Sequence, residues 1–454
     1  MISNDRKIKM MRDGSINKTL LRLGIPTMIG MIISALYSVV DAYFAGNLGV
    51  QQVGAISIVF PIVQIIIGLG MMFGTGAASY LSRLLGDEDR VKANKVASSA
   101  LFYSIFVGLL LIIISLCFLT PLLKILGATN TILPYAKSYA IIFISGSILN
   151  IFNITMNNLV AAEGRTKLTM TSMIVGGGLN IILDPIFIFV FNMGIQGAAI
   201  ATVVSQAITS LIYVNYILRN KGCLKFHYSF VEFDKSTLKE ILKVGIPILI
   251  YQFLTSFSMA MMNSSASNYG DSAIAAFGVV MRLMTLGTYV VFGFMKGFQP
   301  FVGYNYGAKN YRRVNQSIKT VLIWTSCFCF LYTLIVYIFS QSIITIFSKT
   351  NDLKMINIGI KVLRVNCFSM LFFGFEQVYL SLFLALGKGK QGGLLSLARQ
   401  GYFLIPLIII LPTFYDINGL IFAQPIADIL TSLLTLKFSL DFYLDFVPKL
   451  SKKI

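Results

Sequence analysis

The feature that most constrains this sequence is a succession of long apolar segments with almost no charge inside them. Residues 101–119, for example, contain no ionisable side chain of Asp, Glu, Lys or Arg. Of the 454 residues, 56% are hydrophobic and 12% charged, against about 25% charged in an average soluble domain. A helix needs about 20 apolar residues to cross a hydrocarbon core about 30 Å thick. The composition therefore excludes a soluble fold.

Continuous apolar runs favour helices, because a membrane strand alternates apolar and polar residues. We predict an all-α polytopic membrane protein with twelve transmembrane helices. Their expected positions are about 20–44, 53–82, 93–118, 132–160, 166–190, 196–218, 239–268, 273–304, 315–340, 356–386, 391–412 and 418–444.

The basic residues predict the orientation of these helices. With both termini in the cytoplasm, 29 of the 37 lysines and arginines fall on the cytoplasmic side. Only Lys124, Lys349 and Lys354 fall in the opposite loops. The positive-inside rule therefore places both termini in the cytoplasm of a cell (inner or plasma) membrane protein. The net charge of +19 is explained by topology, and we expect no nucleic-acid partner.

A shift of 221 residues aligns glycines and prolines of the two halves, which indicates an internal repeat. The matches are Gly24-Ile25-Pro26 with Gly245-Ile246-Pro247, Gly49 with Gly270, Gly76 with Gly297, Gly86 with Gly307, and Pro185 with Pro406. Six helices per half make the repeat parallel. We predict an N-terminal six-helix lobe over 1–218, a cytoplasmic linker over 219–238 and a C-terminal six-helix lobe over 239–454. Two lobes around a central cavity are typical of a transporter that works by alternating access.

The first half carries ionisable and polar residues at helix positions where lipid disfavours them. An ionisable side chain near the bilayer centre costs at least about 2.5 kcal/mol, so Asp41 and Asp184 are functional candidates. They belong to four pairs with i, i+4 spacing, which puts the members of each pair on one helix face. The pairs are Tyr37 and Asp41, Asn153 and Asn157, Asn180 and Asp184, and Thr202 and Gln206.

Four polar helix faces of this kind indicate one acidic pocket in the first lobe. In such a pocket a carboxyl group can take up a proton and release it in another conformation. The alternative is a hydrogen-bond network that only joins the helices. The repeat equivalents of the two acids are Met262 and Ile405, so the acids are specific to the first half.

The second half has a smaller set of candidates, namely Glu376, Gln424, Asp428, Arg282 and Lys296. Arg282 or Lys296 could neutralise Glu376 or Asp428, which would make them structural ion pairs. Otherwise these residues belong to the substrate or ion path.

The chain lacks the motifs of an enzyme or of an ATP-driven pump. Gly387-Lys388-Gly389-Lys390 lacks the first Gly and the Ser/Thr of a Walker A motif. The single histidine, His227, excludes a HExxH motif, and no GxSxG motif occurs. We therefore expect a secondary active transporter without a cofactor, driven by an H+ or Na+ gradient.

Three segments carry a resemblance to a known family. They are Gly24-Ile25-Pro26 with Asp41, Asn180 to Asp184-Pro185, and residues 299–308, Gln-Pro-Phe-Val-Gly-Tyr-Asn-Tyr-Gly-Ala. Over nearly all of 15–445 the chain resembles the multidrug and toxic compound extrusion (MATE) family. Residues 299–308 resemble the bacterial MepA- and DinF-like branch of this family, which is part of the multidrug/oligosaccharidyl-lipid/polysaccharide flippase superfamily.

The resemblance implies roles for particular residues. Asp41 and Asp184 match an acid pair implicated in coupling to protons, or to Na+ as the one metal ion expected there. Five residues match polar positions of the same cavity: Tyr37, Asn153, Asn157, Asn180 and Thr202. Pro26 matches a proline at which helix 1 is thought to bend. In the NorM-like branch helix 7 carries a carboxylate, whereas here the corresponding place is near Thr255 and has no acid.

Together these features predict a multidrug efflux antiporter, acting as a monomer in the lipid bilayer, that confers antibiotic resistance. Its partners would be small-molecule drugs or dyes, amphipathic and mostly cationic. A flippase for a lipid-linked cell-envelope precursor is the first alternative, although it would need several free cations to hold a pyrophosphate. A membrane receptor or scaffold without transport is the second, and the repeat and the buried acids disfavour it.

Overall fold

The computed structural model describes residues 2–219, 222–347 and 353–451, and the described chain is built from helices. The predicted loop residue Lys349, and residues 220 and 221 of the predicted linker, lie outside the described residues. The helices are α1 (Ile2–Asp13), α2 (Ile16–Gly46), α3 (Val50–Gly86), α4 (Arg90–Cys117), α5 (Leu119–Ile125), α6 (Leu133–Ala162), α7 (Thr166–Pro185), α8 (Gly194–Leu218), α9 (Lys235–Ser267), α10 (Asp271–Gly307), α11 (Tyr311–Ile338), α12 (Ser340–Phe347), α13 (Leu353–Cys367), α14 (Ser369–Ala385), α15 (Gly389–Leu397) and α16 (Leu404–Ser451).

Eleven helical stretches of the described chain are long and apolar enough to cross a membrane. The last of them, Gly389–Pro448, has 60 residues, about three times the length that one crossing needs. Its backbone leaves the helical region at Asp416, where φ is 49° and ψ is −138°. This stretch therefore holds the last two crossings, and the prediction of a twelve-helix membrane protein is confirmed.

The packing between the two halves follows the predicted repeat. Helix α3 packs along α9, and α10 packs along α2; these two pairings are equivalent under the shift of 221 residues. A Cβ added to Gly86 would collide with the carbonyl oxygen of Tyr304, and one added to Gly307 with that of Arg83. Only glycine allows the backbones to approach so closely at this reciprocal crossing.

The two halves contact each other closely at one end of the bundle. We call the end that carries most of the lysines and arginines the basic end. Glycines near it, including Gly76, Gly245 and Gly297, contact the backbone of the other half. Towards the opposite end, Gly46 and Gly270 have no atom within 4 Å of an added Cβ. The bundle is therefore sealed at its basic end.

The N-terminal helix α1, which we did not predict, lies across this seal. Its residue Met11 is fully buried, and its carbonyl oxygen accepts hydrogen bonds from Asn305 Nδ2 at 3.2 Å and Arg313 Nη2 at 3.3 Å. Arg12 of the same segment forms an ion pair with Glu88 at 3.3 Å. Helix α1 thus contacts residues of both halves.

A buried carboxyl holds the segment that joins the halves. Glu163, just beyond α6, has no exposed surface, and its Oε2 accepts hydrogen bonds from Tyr216 Oη at 2.9 Å and the Cys223 backbone N–H at 2.8 Å. Burial raises the pKa of the Glu163 carboxyl to about 7, although these hydrogen bonds lower it.

We predict that Glu163 makes the folded protein less stable as pH rises from about 4.5 to about 7. In that range the folded state binds a proton that the unfolded state has lost, so stability falls with pH. A pKa shift of this size changes the free energy of unfolding by at most about 3 kcal/mol. Glu163→Gln should remove this pH dependence in thermal unfolding of the detergent-solubilised protein.

Glu88→Gln, at an exposed position, is the matched control and should leave the wild-type pH profile intact. An unchanged profile in Glu163→Gln would show that the Glu163 carboxyl does not titrate in this range.

Candidate functional site

The two acids singled out in the first half meet across a helix interface. Asp41 lies on α2 and Asp184 on α7, and their carboxyl groups are close enough to interact electrostatically. Asp184 is fully buried and Asp41 partly buried. No described lysine or arginine forms an ion pair with either acid.

Polar side chains from the same two helices and from α8 surround this pair. Asn180 Nδ2 lies 3.3 Å from Asp184 Oδ1 and 3.3 Å from Thr202 Oγ1, and Tyr37 lies close to Thr202. The residues predicted for this pocket on α2, α7 and α8 are therefore brought together. Asp184 Oδ2 is buried and receives no hydrogen bond from an N–H or a hydroxyl among the described residues. One oxygen thus stays available for a proton or a cation.

The polar network continues along α6 and α8 towards the basic end. Asn153 Nδ2 donates to Gln206 Oε1 at 2.7 Å, and Ser210 Oγ donates to Asn153 Oδ1 at 2.9 Å. One turn further on, Asn157 Nδ2 donates to Tyr213 Oη at 2.9 Å. All the polar residues predicted for the first half therefore lie in one ladder that runs along the lobe interior.

Lys296 lies at the end of that ladder, not beside the second-half acids. Its ammonium donates to Asn157 Oδ1, which joins α10 of the second half to α6 of the first. The sequence-based suggestion that Lys296 neutralises Glu376 or Asp428 is wrong. Arg282 does not do so either, because its side chain is exposed and makes no ion pair among the described residues.

The cation beside the second-half acids is Arg399. Its Nε lies 3.0 Å from Asp428 Oδ1 and 3.6 Å from Glu376 Oε2, and its Nη2 lies 3.3 Å from Asp428 Oδ2. Arg399 also lies 4.6 Å over the Phe373 ring. The 29 lysines and arginines that the sequence places on the cytoplasmic side include Arg399, and that assignment is wrong. It lies in a π-helical turn, Ala398–Tyr402, inside a membrane-spanning stretch.

Two further polar residues complete this buried triad of Glu376, Arg399 and Asp428. Gln424 Nε2 donates to Asp428 Oδ1 at 2.7 Å, and Ser432 Oγ donates to Glu376 Oε1 at 2.7 Å. The two carboxylates share one guanidinium, whereas the first-half acids have no cation partner among the described residues. The second-half group therefore resembles a structural ion network.

Helix α2 passes through Pro26 without a break. Proline has no N–H, so the Arg22 carbonyl one turn earlier loses its helical partner. Thr166 Oγ1 of α7 donates to that carbonyl at 3.3 Å. The carbonyl that the proline leaves free therefore connects α2 to α7, the helix that carries Asp184. The role of Pro26 as a hinge stays a prediction.

Sequence reasoning missed Arg399 and the residues that extend the ladder, Tyr213 and Ser210. Arg399 lies eight residues inside the predicted helix 391–412, and that depth is the signal that would identify it. Tyr213 and Ser210 carry no such signal, because a tyrosine or serine in a membrane helix is common.

Comparison with known proteins gives consistent results. The MatE family model matches residues 26–186 and 247–410, one segment in each half. The multidrug export protein MepA of Staphylococcus aureus is 30% identical over 431 residues, 94% of each chain. MepA of Staphylococcus haemolyticus is 29% identical over 434 residues, 95% of each chain.

Solved structures show the same fold. A multidrug resistance MATE family transporter of the MOP superfamily, described as outward-facing, is 24% identical with a TM-score of 0.92. The alignment covers 97% of this chain and 98% of that one. A MOP superfamily transporter from Pyrococcus furiosus is 25% identical with a TM-score of 0.90, over 96% of this chain and 98% of that one.

We predict that Arg399→Gln strongly destabilises the protein. Removing one partner from a buried ion network leaves an uncompensated charge and costs about 3–5 kcal/mol. The same change at exposed Arg282 should cost about 0.5 kcal/mol or less. Thermal unfolding of the purified variants measures both, and equal losses would mean that Arg399 does not hold the triad together.

Proposed function

The chain belongs to the MATE family of secondary transporters, and from that premise we propose that it exports amphipathic, mostly cationic organic compounds in exchange for H+ or Na+. The single observation that carries the proposal is the close pair of acids Asp41 and Asp184, which has no cation partner among the described residues. Two acids with no cation partner, in an otherwise apolar bundle, form a site whose occupancy by a cation changes its charge.

The coupling step follows from the charge of the acid pair. With one proton the pair carries one negative charge, and a second proton or a Na+ ion neutralises it. A neutral pair can be enclosed between helices at lower cost than a charged one. Ion binding would therefore favour a state in which α2 and α7 close around the pair, and ion release the reverse.

The proposed cargo follows from the balance of buried charge. Arg399 is already neutralised by two acids, so Lys296 is the one deeply placed cation without an acidic partner among the described residues. A flippase for a pyrophosphate-linked lipid would need several free cations. The uncompensated acids lie instead in the first half, which supports an organic cation as cargo.

The direction of transport follows from topology. By the positive-inside rule the basic end, with both termini, faces the cytoplasm of the cell membrane. Because Arg399 lies inside the membrane, 28 of the 37 lysines and arginines remain on that side. The large excess of positive charge there still favours this orientation. The cleft closed at the basic end would then be the outward-facing state, ready to release cargo and bind the driving ion.

We predict that Asp41→Asn and Asp184→Asn each abolish gradient-driven dye efflux while the protein stays folded. Asparagine keeps the size and the hydrogen bonding, but it cannot exchange a proton. If the acids only joined helices, each variant would lose about 0.6 kcal/mol of stability, the average contribution of an interhelical hydrogen bond. Ethidium accumulation in cells that express each variant measures the effect.

Asp87→Asn, at an exposed position beyond α3, is the matched control and should transport like the wild type. Glu376→Gln and Asp428→Asn should have milder effects. Wild-type efflux in Asp41→Asn, with loss of efflux in the second-half variants, would move the coupling site to the second half.

A further inference from the structure

Lys296 presents an unusual electrostatic problem. It lies between the two halves, where the cleft is closed, and its one hydrogen-bond partner among the described residues is the neutral Asn157. No described carboxylate lies within ion-pair distance of Lys296, and two acids towards the basic end have other partners. Glu240 pairs with Arg83 at 3.3 Å, and Glu163 accepts from Tyr216 and Cys223. A buried ammonium without a counter-charge is costly, and an amide dipole compensates only part of that cost.

A small cavity lies beside Lys296. Its polar lining comes from Thr75, Ser79 and Ser82 on α3, Asn158 on α6, and Lys296 and Gln299 on α10. The rest is small or apolar, for example Ala78, Ala161 and Ala385. No acid lines the cavity, so its electrostatic character is positive.

Several hydrogen-bond donors of this lining are free. Ser79 and Ser82 donate to backbone carbonyls, and Asn158 uses one of its two N–H groups on the Ile154 carbonyl at 2.8 Å. Thr75 and Gln299 make no side-chain hydrogen bond among the described residues, and Lys296 retains two N–H groups. One hydroxyl, two amides and one ammonium therefore remain to bind an acceptor.

We propose that this cavity binds a small inorganic anion, such as chloride, which neutralises Lys296. Hydroxyl, amide and ammonium donors suit a spherical anion that accepts hydrogen bonds from all sides. The single cation matches a single negative charge, whereas a doubly charged phosphate would leave an uncompensated charge in the interface. The alanine-rich lining leaves no extended groove for an organic anion.

The position of the site links anion binding to the conformation of the protein. Helices α3 and α6 of the first half and α10 and α14 of the second half all contribute walls, so separation of the halves takes the site apart. A ligand that binds one state alone stabilises that state. Chloride would therefore favour the form in which the basic end is closed.

The test measures binding without any transport. Purified full-length protein in sodium gluconate receives increasing sodium chloride at constant sodium concentration, ionic strength and pH. We expect the melting temperature of the wild type to rise with chloride and to saturate. Lys296→Gln, which keeps a donor for Asn157 but removes the charge, should lose this saturable rise.

Lys361→Gln is the matched control, because Lys361 is an exposed lysine that donates to Asn418 at 2.6 Å. It should respond to chloride like the wild type. Thr75→Val removes one donor, so half-saturation should need about tenfold more chloride. This variant keeps the proposal testable if Lys296→Gln fails to fold.

Crystals grown in bromide locate the site directly. We expect an anomalous peak within hydrogen-bond distance of Lys296 Nζ. The proposal is overturned if the wild type shows no saturable response, if Lys296→Gln responds like the wild type, or if bromide binds elsewhere.

Discussion

The cost of placing a charge in hydrocarbon is the constraint on which the rest of this structure depends. It leaves few ionisable residues in the bundle and forces each of them into a specific arrangement. Arg399 lies between Glu376 and Asp428, so these two acids share one cation. Asp41 and Asp184 lie together without a cation partner among the described residues. This difference is the reason for proposing a structural role for the first group and a coupling role for the second.

The seal at the basic end rests on a different interaction, the close approach of backbones at glycines. Gly86 lies against the backbone of the second half, and its repeat equivalent Gly307 lies against the backbone of the first half. Other glycines near this end also contact the opposite half, whereas Gly46 and Gly270 towards the other end do not. Asp41 lies five residues from the end of α2 that is away from this seal. In the proposed mechanism an ion would therefore reach the acid pair from that side without crossing the seal.

Much of the fold follows from the sequence, because hydropathy and the positive charges respond directly to the bilayer. The twelve helices are in the predicted places, and the four polar pairs of the first half lie together because i, i+4 spacing puts each pair on one face. The second half was less predictable. Which cation meets Glu376 and Asp428 depends on the π-helical turn that directs Arg399 inwards, and nothing in the local pattern shows this turn. Helix α1 was missed because its mean polarity is that of a cytoplasmic tail; the burial of its residue Met11 and the hydrogen bond from Asn305 to the Met11 carbonyl hold it against the bundle.

We propose that the Asp41–Asp184 pair couples ion movement to export. The most direct test uses purified protein in liposomes loaded with a fluorescent cationic dye, with a proton or a sodium gradient imposed separately. We expect one of these gradients to drive dye uphill through the wild-type protein. In the Asp41→Asn/Asp184→Asn double variant, dye should only equilibrate down its own gradient, whatever ion gradient is imposed. Uphill dye movement by the double variant at the wild-type rate would show that the pair does not couple ion movement to export.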